Sequence, residues 1–482
     1  MIKNRGDVIM VKSLLLGNGI NIQFGGKAYT NRFIVQRIFF NIKAGIYTPL
    51  FGNSELSSDE LFYIFRALFT YANQVIEGKY DDNEFSDDMK AAINDFKDRY
   101  PTHVNQHYEI GLEDWFFLLE LFFVTNNDLQ GVSESSKQGI ERIILDAIYN
   151  ADYLQNAFSV DNIGNRTKQK ILKRYLSGYD NIFTLNYDNN VENLIGKQIY
   201  HLHGDYSVIA DSENPINIIG DIRTENGQLV IFPREFNHCN CNALLDYSGE
   251  LKYKRAIAIE QLQKIFDGDI KGNITALLAV LIKGDDEQKQ FVNRHLERPD
   301  LRVGTNYHFS EFRALTGELH IIGMSPNNDS HIFKCIDNSN LENVIFYCVG
   351  DITKSSLPIT KPYKIESVQK LWMNLGLNRP EYNCNYQIPN ESKLDDFIGV
   401  FNELTNDKYS KVEIINEVNS IPQYRMDRLC KMVSEELARQ GSNSVTTEKE
   451  LLSNFHEITR IALREGVIPP ALLMIYAMNH GK

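Results

Sequence analysis

Six cysteines in 482 residues are too few to build a disulfide framework. They are Cys239, Cys241, Cys335, Cys348, Cys384 and Cys430, and such sparse use suits a reducing compartment. Positive charge is also scarce: 50 Lys and Arg stand against 63 Asp and Glu, for a formal net charge of −13. A chain with that balance has no counterion-release drive toward a phosphate backbone, so nucleic acid is not the expected partner, a local basic patch aside. Long apolar runs are missing too. WFFLLELFFV (115–124, broken by Glu120) and ITALLAVLI (274–282) both fall short of the roughly 18 residues a membrane span needs. The opening MIKNRGDVIMVKSLLL has too short an apolar run for a signal peptide. The expectation is a soluble, cytoplasmic protein with no membrane partner. No repeat of fixed period and no low-complexity tract is present.

What is there is an ordinary folding chain, 43% hydrophobic and 23% charged, long enough for two or three domains. Residues 11–16 read as a short buried strand ended by glycine. From Asn31 to about Gly178 the pattern turns helical. SSDELFYIFRALFTYANQVIE opens with N-cap candidates Ser57 and Ser58 and the acidic Asp59 and Glu60. DWFFLLELFF, apolar on nearly all sides, reads as a buried helix, and DDNEFSDD (81–88) as a solvated loop or helix start. Strand character returns at 181–186, 199–204, 319–324 and 343–350, in short β-branched or aromatic runs typical of parallel strands. More helix is expected between 240 and 300. After a linker-like stretch (377–392) the chain is helical to its end. Thr447 and Glu450 suggest a capping box, Gly441 and Gly466 helix C-caps, and Pro469–Pro470 the first turn of a last helix. The fold class is α/β, a parallel sheet over about 1–375 with a helical insertion near 31–178, and a helical C-terminal module over 390–482.

In open α/β sheets ligands bind at the carboxyl ends of the strands, and four strand ends here are polar: GNGIN, TLNYD, HLHGD and GMSPNNDSH. Gly17 and Gly19 would let backbone amides approach a pyrophosphate. The stretch is neither a G-x-G-x-x-G fingerprint nor a Walker loop, and one GxG alone reads more plainly as a tight strand–helix turn.

Taken in order, GNGIN (17–21), LNYD (185–188), HLHGD (201–205) and IIGMSPNND (321–329) resemble the SIR2-like family of NAD-consuming proteins. The insertion after the first loop, and GNGIN itself, also resemble AbiH-type abortive-infection proteins. The resemblance covers residues 11–350 in pieces and leaves out the last 90 or so. It implies a Rossmann-like sheet, and it carries the family's catalytic Asn onto Asn186 and its catalytic His onto His203. The phosphate loop falls on Gly17, Asn18, Gly19 and Asn21. The loop beside the adenosine ribose falls on Gly323 and Ser325, with Asp329 at a frequent acidic position. The sirtuin zinc module of two CxxC pairs is absent and the G-A-G-x-S pattern is not kept, which argues against protein deacylation. The implied activity is an NAD+ glycohydrolase of antiphage defence, releasing nicotinamide and ADP-ribose, with NAD+ as substrate and no further cofactor.

These residue types suit that chemistry. Cleaving the nicotinamide–ribose bond passes through an oxocarbenium-like transition state. An Asn amide can hold a water near the anomeric carbon, and a His can take a proton near neutral pH. Other readings stay open at single residues. His201 alternates with His203 at i, i+2, so both would face the same way, and it lines the site or packs beneath it. Asp188 and Asp205 are read as loop-holding, and Asp329 as a ribose contact or a helix cap. His238, Cys239 and Cys241 lie close together without a second ligand pair, so no metal is expected. Two rival functions remain: a deacylase or ADP-ribosyltransferase of the same fold, and a nucleotide-binding sensor or scaffold without turnover. A toxic effector must be restrained, so a homo-oligomer or a complex with a second defence protein is expected.

Overall fold

The computed structural model describes residues 10–54, 56–126, 130–209, 234–267, 306–326, 329–350, 356–378, 408–440 and 454–480, with 398–399 and a few short pieces between 217 and 303. The proposed cap at Gly441 and the Thr447–Glu450 box lie outside them, as does most of the helix expected after residue 267. Contacts divide the chain into two units, Met1–Phe24 with Leu154–Asn378, and Gly25–Tyr153 with Arg379–Lys482.

The first unit is built on six strands: β1 (Lys12–Leu16), β2 (Asn181–Thr184), β3 (Tyr200–His201), β4 (Thr316–Ile322), β5 (Asn340–Cys348) and β6 (Tyr363–Ser367). All pairings are parallel, and the order across the sheet is 3-2-1-4-5-6. That is the order of the doubly wound Rossmann fold, so the α/β parallel-sheet expectation holds. β1 lies in the middle, with Leu14 opposite Ile182 on one side and His320 on the other. Leu14, Leu15 and Leu16 are sealed from solvent, as a strand covered on both faces requires. One core of this unit joins Leu15, Phe183 and Ile321 from the sheet with Phe309, Phe312, Phe333 and Ile336 from helices.

In the second unit, the helix Asn31–Lys43 carries Phe33 and Phe40 into a core shared with the helices Lys411–Ser420, Gln423–Arg439, Phe455–Glu465 and Pro469–His480. The insertion and the C-terminal helices thus share one hydrophobic cluster. Ser57 caps Ser58–Ile76 in a reciprocal capping box with Glu60, so the sequence signal was local and sufficient. Gly466 ends Phe455–Glu465 in the left-handed region at φ 67°, and Pro469 opens the last helix, both as the sequence indicated. At the centre Arg37, wholly buried, donates to the carbonyls of Ala28, Ala147 and Leu463. Burial pulls its pKa down to about 10. Among the described residues no single helix is long and apolar enough to cross a membrane.

Candidate active site

The order of strands reverses between β1 and β4, the place where ligands bind in open sheets of this kind. The loops after β1, β2, β3 and β4 begin with Gly17, Leu185, Leu202 and Gly323. Gly17, Asn18, Gly19, Asn21, Asn186, His203, Gly323, Ser325 and Asp329 each lie on one of them or on the helix start that follows. The four motifs are therefore gathered along one edge of one sheet.

The glycines of the first loop have a defined use. Gly17 N–H donates to Ile322 O at 2.9 Å and Gly19 N–H to Gly323 O at 2.8 Å. A Cβ on Gly17 would sit 2.5 Å from Gly323 O, and one on Gly19 2.6 Å from Gly323 Cα. Gly323 itself has φ 76° and would meet Ile20 N at 2.7 Å. Three glycines from two loops thus interlock backbone to backbone, a packing no residue with a Cβ can reproduce. The expectation that the Gly17 and Gly19 amides aim at a phosphate needs correcting: they donate to the neighbouring loop. The polar residues flanking this interlock are Asn18 and Ser325, both exposed.

Asn21 turns inward instead. Buried at 1% exposure, its Nδ2 donates to Asp188 Oδ2 at 2.6 Å, and its Oδ1 accepts from Asn190 Nδ2 at 3.3 Å. Asp188 Oδ1 in turn accepts Asn190 N–H. Burial pushes the Asp188 carboxyl up in pKa, against the pull of its hydrogen bonds from Asn190 and Asn21. This network ties the loop after β1 to the loop after β2. Asp188 is loop-holding as expected, and so is Asp205, which accepts both the backbone N–H and the hydroxyl of Ser207.

Asn186 stands two residues beyond β2, largely buried. Its backbone is fixed on both sides: N–H donates to Thr184 Oγ1 at 3.0 Å, and its carbonyl accepts from His201 Nδ1 at 2.9 Å. Its carboxamide makes no hydrogen bond within the described residues. His201 Nε2 meets Glu192 Oε1 at 2.6 Å. Both partners of His201 are acceptors, so the ring donates from both nitrogens as an imidazolium. Burial acts to lower its pKa, but the bond and charge of Glu192 outweigh it and hold the pKa at about 8.

His203 behaves differently, and the expected i, i+2 alternation with His201 does not carry through. Strand pairing stops at His201, and the chain turns at Gly204, φ 77°, where a Cβ would meet Asn242 O at 2.3 Å. The His203 carbonyl is held by Leu244 N–H at 2.9 Å. Its Nε2 lies 3.1 Å from His331 Nε2. Burial first, then the charge of Lys252 and the second ring, hold His203 well below the usual imidazole pKa. Burial and Lys252 likewise hold His331 at about 3, so both rings are neutral at ordinary pH.

Nothing in the local sequence of His331 pairs it with a residue 128 positions away. The helix Ser330–Asp337 begins just before it, with Asp329 at the N-cap position but no capping hydrogen bond from its side chain. Asp329 instead brings a carboxylate oxygen within 4.8 Å of ligand atoms of His203 and His331. Cys239 and Cys241 are buried free thiols, and the HCNC stretch does not gather a ligand set among the described residues. Comparison with known proteins found no matching family model, no matching curated protein and no matching solved structure.

Proposed function

We propose that this chain is a SIR2-like NAD+ glycohydrolase that acts as an abortive-infection effector in antiphage defence. The observation that carries the reading is the gathering of GNGIN, LNYD, HLHGD and the GMSP that opens the fourth loop along one edge of a 3-2-1-4-5-6 sheet. Asn186 supplies an oriented carboxamide on a backbone anchored at both ends, suited to hold water against the anomeric carbon of the nicotinamide ribose. His203 takes the proton from that water or from a ribose hydroxyl. The exposed Asn18 and Ser325, on the two interlocked loops, contact the phosphates and adenosine ribose, with Asp329 beside them. Regulation falls to a homo-oligomer or a second defence protein.

The test follows nicotinamide release and nucleotide affinity together. His203→Ala and Asn186→Ala should each lower cleavage by on the order of 10²–10⁴-fold while keeping NAD+ affinity. Cleavage by His203→Ala at the wild-type rate would remove the reading. A second reading, a nucleotide sensor without turnover, draws on the engagement of His203 Nε2 by His331. Saturable NAD+ binding with no nicotinamide release under any activating condition would favour it.

A further inference from the structure

The helix Arg166–Leu176 reads RTKQKILKRYL, five cations and no carboxylate, in a chain whose net charge is −13. Arg166, Lys170, Lys173 and Arg174 fall within about 100° around its axis and along about 12 Å of its length. All four are exposed, and their side chains make no ion pair or hydrogen bond among the described residues. The fifth, Lys168, leaves the stripe and donates to the carbonyl of Asn378 at 3.3 Å. Leu172 and Leu176 anchor the opposite, buried face.

The stripe opposes the helix that carries it. Arg166 with Lys170, Lys170 with Arg174 and Lys170 with Lys173 are like-charge neighbours at i, i+4 or i, i+3, a spacing that weakens a helix. Arg166 also stands in the first turn, where the helix dipole favours an anion. Solubility does not call for such a face, because 63 Asp and Glu already charge the molecule. The repulsion is relieved only when a surface of opposite sign covers it.

The chain carries that surface as well. Asp82, Glu84, Asp87 and Asp88 are all exposed, and their side chains make no ion pair or hydrogen bond among the described residues. Their neighbour Asp81 is already held by Lys97. Six residues span at most about 20 Å, so the free carboxylates can lie along a stripe of about 12 Å.

We propose that the 166–174 stripe of one copy of this chain docks on the 82–88 segment of another. The two surfaces differ, and each copy offers one of each, so the contact builds a closed ring or an open row of copies. Exposed ion pairs are individually weak, so the assembly forms as concentration rises and comes apart in salt. Nucleic acid fits the stripe less well. Its exposed residues include no aromatic ring on which a base could stack, and the net charge of the molecule repels phosphate.

The experiment is sedimentation velocity of the full-length protein over a range of concentrations. It is run in roughly 0.1 M and roughly 1 M salt, between which the Debye length falls from about 10 Å to about 3 Å. The wild type should assemble at the lower salt and return to monomer at the higher. Lys170→Glu with Lys173→Glu should stay monomeric in both, with an unchanged thermal melt. Asp82→Lys with Glu84→Lys should stay monomeric too, although it lowers the net negative charge that keeps copies apart. All four substitutions in one chain keep the native net charge and restore complementarity, and should restore assembly. A wild type that is monomeric at every concentration would overturn the proposal. So would an assembly that neither pair of substitutions weakens, or a fourfold variant that melts normally and stays monomeric. Saturable binding of a fluorescent single-stranded oligonucleotide, abolished by Lys170→Glu with Lys173→Glu, would reassign the stripe to nucleic acid. Nicotinamide release plays no part in these readouts, so failure of the NAD+ reading would leave the docking contact standing.

Discussion

His107 shows how much a single side chain can record of its surroundings. Its ring stands 4.4 Å from Phe39 and 4.2 Å from Phe69, centroid to centroid, with Trp115 stacked at 6.4 Å. Burial among these rings, helped by the charge of Arg66, brings its pKa down to about 4. The unfolded chain takes up this proton near pH 6.5 and the folded chain only near 4. Stability is therefore fully present above pH 6.5 and is lost as pH falls through that window, by about 3 kcal/mol once both forms are protonated. Chemical denaturation at pH 7 and pH 4.5 should show the loss in the wild type and a much smaller one in His107→Leu. Nothing near His107 in the sequence announces this environment, since its partners come from three other segments. The roles of Gly17 and Gly19 were half legible in the same way. Two glycines after a buried strand said that backbone had to come close to something, but not that the something was Gly323.

At the level of elements, local signals were read well and edge signals poorly. Ser57 with Glu60, Gly466 and Pro469 each sit within one turn of the feature they create, so their meaning does not depend on distant residues. β6 was missed entirely. Its sequence, YKIES, is exposed or half-buried throughout, because a strand at the rim of a sheet is paired on one side only and lacks the continuous apolar run that marked β1. β3 was read as longer than the two residues that pair, since the Leu202–His203 segment keeps strand-like composition after leaving the sheet. Gly466 supports a prediction. An alanine there must adopt φ 67° and would bring Cβ to 2.1 Å from Ala28 N. Gly466→Ala should cost about 2–3 kcal/mol, seen as a lower denaturation midpoint. A cost below about 0.5 kcal/mol would mean that the contact with Ala28 gives way freely.

Across the whole molecule, the parallel α/β sheet was legible because its inner strands are apolar and end in polar loops. The partition of the helices was not, because a hydrophobic stripe says that a helix must be covered without saying by what. The helix Asn31–Lys43 is covered by helices that begin almost 370 residues later in the chain. Removing residues 454–480 should therefore leave Phe33 and Phe40 without their cover. The expected product is aggregated or protease-sensitive in the region 25–153, while the wild type resists digestion there. Equal resistance in both would mean that this region holds its own core.

That covering has a consequence in time. A chain made from its N-terminus outward presents Phe33 and Phe40 several hundred residues before the helices that bury them are made. Translation delivers about 5–20 residues per second, so the interval between the two is on the order of tens of seconds. Through that interval the early helices cannot reach their final packing, and a chain cut short by interrupted synthesis never does. Synthesis of the helices beyond Lys411 is thus itself a checkpoint on whether this core exists in assembled form.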